Sequence, residues 1–161
     1  MFELDIPSIS AIVAAAGVLV GVVYYVLEIR HQTKIRQTDL IMRLYSSYGS
    51  IEFQEALWKF MAREYKDFDD YEKQYGWAET VVIGTFFEGI GVLLKRKLAN
   101  IQLVDDLFTT PIRLCWEKMK PIVDDSRKHW NSPAAYEWFE YLYNEMKKRE
   151  QKLQQAGVKN G

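Results

Sequence analysis

Glu88 is the residue of this chain whose setting most invites chemistry. It is the only charge between residues 80 and 94, inside the apolar run VVIGTFFEGIGVLL. A carboxylate withdrawn from water must find a partner or take up a proton. Arg113 and Arg127, on the helix that follows, are plausible partners, with Arg43 and Arg63 as alternatives. Two readings stand side by side. Glu88, Arg113 and Arg127 form a buried polar network that fixes helix register. Alternatively, Glu88 is a proton-handling or ligand-binding acid. Nothing else catalytic lies near it in sequence, which favours the structural reading. Gly84, Gly89 and Gly91 surround it. Each glycine costs a helix about 1 kcal/mol relative to alanine, so something must offset that. Close packing against Trp116 or Trp138 is one answer, and a ligand approaching the backbone is another. The glycines do not follow a strand–GxGxxG–helix order, so nucleotide binding is not supported.

Other chemistry is thinly represented. Cys115 is the only cysteine, lies in an apolar stretch and has no nearby histidine, which reads as an inert buried thiol. There are only two histidines. The run from Glu28 to His31 is a formal ExxH, but a di-metal carboxylate site takes two such copies and two further Glu. Asp125 and His129 share a helix face, yet a zinc site needs three or four ligands. No GxSxG, Walker or kinase pattern occurs. The expectation is a chain with no catalytic residues, no metal and no cofactor, and so not an enzyme.

The elements that position these residues begin with an apolar N-terminal segment. Residues 9–27 contain no charge and read as a helix long enough to cross about 30 Å of hydrocarbon. Pro7 and Ser8 suit its start, and Tyr24 and Tyr25 suit an interface near its end. The first residues, MFELD, are acidic, whereas a cleavable signal peptide has a basic start. Arg30, His31, Lys34 and Arg36 follow the span and no Lys or Arg precedes it. The positive-inside rule therefore puts the N-terminus outside and the rest in the cytoplasm of a single-pass protein at the cell membrane. Within the span, Ala14, Gly17 and Gly21 line one face at GxxxG spacing, a candidate helix–helix contact. The bland alternative is that Gly and Ala are common in membrane helices.

At 161 residues the chain has room for one domain beside this anchor. All 21 Lys and Arg follow residue 29, together with all but three of the 22 acids. So nearly balanced a body lacks the basic footprint of nucleic-acid binding. A single cysteine excludes an internal disulfide framework.

The expected fold class is all-α: one N-terminal transmembrane helix followed by a cytoplasmic bundle of about four helices. The boundaries read as a short extracytoplasmic tip (1–8), the transmembrane helix (9–27), a juxtamembrane helix (28–48), the bundle (49–155) and a flexible tail (156–161). Within the bundle, Ser50 caps a helix from Ile51 to about Tyr65. Residues 66–76 read as a loop or a short helical turn. Residues 77–97 are apolar enough to suggest a second span, but Glu88 and the following Lys95, Arg96 and Lys97 oppose it. They read instead as the central core helix. Residues 103–108 read as a short turn, and Thr110 with Pro111 as the start of a helix to about His129 that Pro121 kinks or splits. Asn131, Ser132 and Pro133 start the last helix, to about Gln155. Tyr71, Tyr75 and Trp130 fall in the connecting segments, either as a partner surface or as loops packed on their own core.

The pattern formed by the span, the basic helix after it, FFEGIGVLL (86–94), LVDDLF (103–108), Trp116, Arg127 and YEWFEYL (136–142) resembles a prokaryotic family of small membrane-anchored helical proteins known only as a domain of unknown function. The resemblance implies an anchored bundle with Glu88, Trp116 and Arg127 as family-pattern positions. It implies no activity. The functional expectation is a membrane-anchored interaction or scaffold module that meets the lipid bilayer, another copy or a membrane-protein partner, and no nucleic acid. The alternative is a membrane-tethered sensor of a small ligand or signal, or a tethered enzyme, with its pocket around Glu88.

Overall fold

The computed structural model describes residues 6–159, with side chains to residue 155. Expectations for residues 1–5 and 160–161 lie outside the described residues. The described chain is helical, in six elements: α1 (Ile6–Tyr48), α2 (Ile51–Met61), α3 (Phe68–Tyr75), α4 (Ala78–Lys95), α5 (Ile101–His129) and α6 (Glu137–Lys159). It divides into two compact units, Met1–Asp39 and Leu40–Gly161.

The first unit is the N-terminal part of α1. Its apolar residues are exposed, with Val18, Leu19 and Val20 each about two-thirds accessible. This helix is long and apolar enough to cross a membrane. Past the apolar run, Gln32 donates to Glu28 at 2.9 Å and the Thr33 hydroxyl to the Ile29 carbonyl at 2.8 Å.

The second unit begins inside α1, at Leu40, where the sequence reading starts the bundle at residue 49. The reason is the apolar stripe at the end of α1. Ile41 is fully buried, and Tyr45 and Tyr48 pack against Phe108 with ring centroids 5.9 and 5.6 Å apart. Ser50 caps α2, accepting from the Phe53 amide at 3.2 Å. The helix stops at Met61 rather than about Tyr65, because Arg63 and Tyr65 are drawn into tertiary contacts. Residues 66–76 contain α3, capped by Asp67, whose side chain accepts from the Asp70 amide at 2.9 Å. α3 and α4 meet at 109°.

α4 is the core helix. Thr80, Ile83, Gly84, Phe87, Ile90, Gly91 and Leu94 are buried, and it packs against α2, α5 and α6. Its apolarity is spent on protein neighbours: Phe53 lies on Phe86 at 4.7 Å and Phe139 stacks on Phe87 at 4.8 Å.

α5 departs most from expectation. Thr110 and Pro111 do not start a helix, and Pro121 does not split one; both prolines lie inside one helix of 29 residues. The start is Asn100, whose side chain accepts from the Gln102 amide at 2.8 Å. A proline removes one ladder bond but keeps a helical φ. The buried series Val104, Phe108, Ile112, Cys115, Met119 and Ile122 runs unbroken past Pro111, and that burial outweighs the lost bond. The bundle therefore contains the end of α1 and five further helices, more than the four expected.

α6 begins at Glu137, not Pro133, because Asn131 and Tyr136 take left-handed backbone conformations with φ of 48° and 55°. Its backbone runs on to Lys159.

Candidate functional site

Glu88 sits on α4, half-buried, facing the first turn of α6. Its carboxylate accepts from the Phe139 amide at 2.7 Å and also engages the Trp138 amide. These are the first free amides of α6, and a tyrosine at the preceding position is a poor cap. Glu88 thus caps a helix 51 positions away, supplying the negative charge a helix N-terminus favours. Burial raises its carboxyl above the ordinary value of 4.5, partly offset by the two amides and by Arg127.

Arg127 lies at the same place but makes no ion pair with Glu88. Its guanidinium donates to the Ala135 carbonyl at 2.9 Å and pairs with Glu140 at 2.8 Å. Glu88 and Arg127 grip the start of α6 from two sides. Arg113 is elsewhere, exposed in a shallow groove between α5 and α6 with Thr109, Glu117, Tyr143 and Lys147. The expected trio is therefore not one network.

The glycines divide as well. A Cβ on Gly91 would stand 2.0 Å from the Trp138 carbonyl oxygen, and one on Gly84 would stand 2.4 Å from the Tyr136 ring. Trp138 and Tyr136 fill the space beside Glu88 that a ligand would need. Gly89 is exposed and meets nothing within 4 Å.

The most densely bonded buried polar site was not singled out from the sequence. Arg63 is 4 % exposed. Its guanidinium pairs with Glu79, donates to the Tyr71 hydroxyl and lies 3.4 Å from the Thr80 hydroxyl. It also lies over the Tyr71 and Tyr75 rings, at 5.3 and 4.9 Å. Tyr71 and Thr80 share a hydrogen bond of their own. Lys118 on α5 donates to the Arg63 carbonyl while Tyr65 donates to the Lys118 carbonyl at 3.1 Å. Four segments are thereby joined. Glu79 is held below the usual carboxylate range by its own amide in the first turn of α4, with Arg63 adding to the effect. The signal that could have revealed the site is Asp67 three residues before Asp70, a helix start that brings Tyr71 and Tyr75 back towards Arg63.

The other candidates fall into place. Tyr71 is fully buried, so it offers no partner surface. Trp130 is half-exposed against Trp77 at 4.6 Å. Cys115 is buried, and burial pushes its thiol up to about 12. Asp125 bonds Lys128 at 3.2 Å, and the His129 ring lies on Phe68 at 5.1 Å. Ala14, Gly17 and Gly21 are exposed, and the two glycines meet nothing within 4 Å.

The profile of a family described as a domain of unknown function, DUF4760, matches residues 11–146. The chain belongs to this family. Comparison with curated proteins and with solved structures returned no match. The part of this DUF4760 chain that matches runs from the apolar half of α1 into α6. It takes in the Arg63 site together with Glu88, Trp116 and Arg127. In this DUF4760 domain Trp116 is buried edge-on to Phe139 at 5.0 Å, directly behind the turn that Glu88 caps.

The cap carries a prediction. Replacing Glu88 by alanine should cost about 1 kcal/mol or somewhat more, the usual effect of losing a cap. Glutamine can still accept from Phe139 and should preserve stability at neutral pH. Because the folded-state pKa is raised, the native state binds more protons than the unfolded chain just above pH 4.5. Stability from this group is therefore greatest on the acid side and declines as pH rises through the raised value. Urea melts of wild type and Glu88→Gln across that window should show the slope only in wild type.

Proposed function

We propose that this DUF4760 protein is a single-pass, bilayer-anchored helical docking module, with its N-terminus outside and its bundle in the cytoplasm, and that it performs no catalysis. The observation that carries this reading is α1. A helix with an uncharged, exposed run over residues 9–27 needs an apolar surrounding, and the bilayer supplies one. The basic residues that follow it, Arg30, Lys34 and Arg36, favour the cytoplasmic side. The absence of catalysis is supported by how the buried polar groups are used. Glu88 caps α6 and Arg63 is saturated by Glu79, Tyr71 and Thr80. The space beside Glu88 is taken up by the Tyr136 ring and the Trp138 backbone, which counts against a sensor pocket there. Docking is supported by large exposed side chains on the bundle, Trp58 at 74 % and Ile51 at 73 % on α2.

The test is made in native membranes. The protein should resist alkaline carbonate extraction, and a reporter fused to Gly161 should be active only in the cytoplasm. A photo-crosslinker at Trp58 or Gly17 should yield a discrete adduct with a second copy or with one membrane protein. An extractable protein or an external reporter would overturn the topology. A protein that stays monomeric and uncrosslinked at both positions would overturn the docking role.

A further inference from the structure

Beyond its apolar run, α1 continues as a helix that nothing in the chain covers. Among residues 28–36 only Glu28 is half-buried, and the rest are exposed. A helix in water draws most of its stability from packing one face on a neighbour. Ile35 marks the missing neighbour, being 54 % exposed between Lys34 and Arg36. Glu28, His31 and Ile35 follow one another at spacings of three and four, which is a heptad seam along one face. The same frame, carried back into the apolar run, passes through Tyr24. The Glu28 carboxylate accepts from the Gln32 side-chain amide at 2.9 Å, which holds it on the helix surface. Among the described residues the exposed His31 ring has no hydrogen-bond or ion-pair partner. The seam therefore carries an acceptor and, one turn on, an unused donor.

We propose that residues 28–35 are the contact between two parallel copies of this chain, with Glu28 of each copy accepting from His31 of the other and Ile35 meeting its equivalent. The inference rests on the anchor reading. Two copies inserted with one topology pair only in parallel, so each residue meets its equivalent at the same depth. In such a pair a seam residue enters a hole bordered by the partner's next seam residue. For Glu28 that neighbour is His31, so the polar pattern is complementary to the chain itself. Two carboxylates at one level would repel, and the Gln32 amide and the imidazole place donors between them. Ile35 leaves water against its counterpart. Another membrane protein would have to present donor, acceptor and apolar group at the same three levels.

The test uses the full-length protein in carbonate-washed native membranes, with a single cysteine placed at each position from 28 to 35 in turn and oxidised with copper phenanthroline. Cys115 gives no background, being buried with its thiol pushed up to about 12. Disulfide-linked dimers are expected in Glu28→Cys, His31→Cys and Ile35→Cys. The five positions between them should give about tenfold less, because a disulfide needs Cα atoms within about 7 Å. In the Ile35→Cys chain, adding Glu28→Lys should lower the cross-linked fraction about fivefold, and His31→Glu on top of it should restore the pair with its charges exchanged. Protein removed by the carbonate wash overturns the anchor reading and this pairing with it. Protein that is retained but cross-links at none of these positions, equally at all of them, or only to a protein of another mass overturns the pairing and leaves the anchor standing. Cross-linking that Glu28→Lys does not change, or that the exchanged pair does not restore, overturns the contact between Glu28 and His31.

Discussion

Gly91→Ala is expected to lower the stability of the bundle by about 3 kcal/mol or more, the upper range for forcing atoms into a packed interior. The added methyl would stand 2.0 Å from the Trp138 carbonyl oxygen, which belongs to backbone and cannot rotate away. Relief requires α6 to move off α4. That movement would also pull the Phe139 amide from Glu88 and open the stacked pair of Phe87 and Phe139. Small domains are stable by only about 5–15 kcal/mol, so such a loss is readily seen. Gly89→Ala, two positions earlier, provides the contrast. No atom lies within 4 Å of its added methyl, so the helix gains up to about 1 kcal/mol from propensity alone. Tryptophan-monitored urea unfolding of both variants in detergent checks the pair. If the two variants melt together, α4 and α6 do not pack as described.

Arg63→Ala should cost about 3 kcal/mol, the low end for removing one partner of a buried pair. The low end applies because Glu79 is 23 % exposed and can regain some water. The Tyr71 and Thr80 hydroxyls also keep each other. What is lost is the fork that ties the α2–α3 connection to α4, and the packing of the guanidinium on two tyrosine rings. Arg63→Lys keeps the charge but not the fork, and should fall between alanine and wild type. The acid limb gives an independent check. Glu79 has a depressed folded-state pKa, so its contribution is present above the ordinary 4.5 and lost as pH falls through the lower value. In Arg63→Ala that loss should shrink without vanishing, because the largest cause is Glu79's own amide. An unchanged acid limb with unchanged stability would show that the pair is not formed.

Features set by composition along a continuous stretch were legible without coordinates. The uncharged run over residues 9–27, the helical periodicity and the Ser50 cap each depend on neighbours in sequence. Prolines misled for the same reason. Thr110 with Pro111 carries a valid local start signal, and it lost to the buried stripe from Val104 to Ile122 that passes straight through it. Helix α3 was blurred because eight residues of mostly polar character show little periodicity, although Asp67 caps it.

Glu88 shows the boundary most clearly. That a lone carboxylate in an apolar helix needs a partner, and that three glycines around it need a reason, is legible from residue types and spacing. Residue types point to arginines, because charge is visible in a sequence. Packing of α6 on α4 makes the Phe139 and Trp138 amides the partners, and Gly91 lets the Trp138 backbone approach closely. Every residue has an amide, and which one lies free depends on where a distant helix begins. That start is set by the left-handed turn at Tyr136, and no local rule predicts such a turn at a tyrosine. The same holds for Arg63, which meets Tyr71 and Glu79 across 8 and 16 positions. Local physics fixed the helices, and packing fixed which polar groups meet.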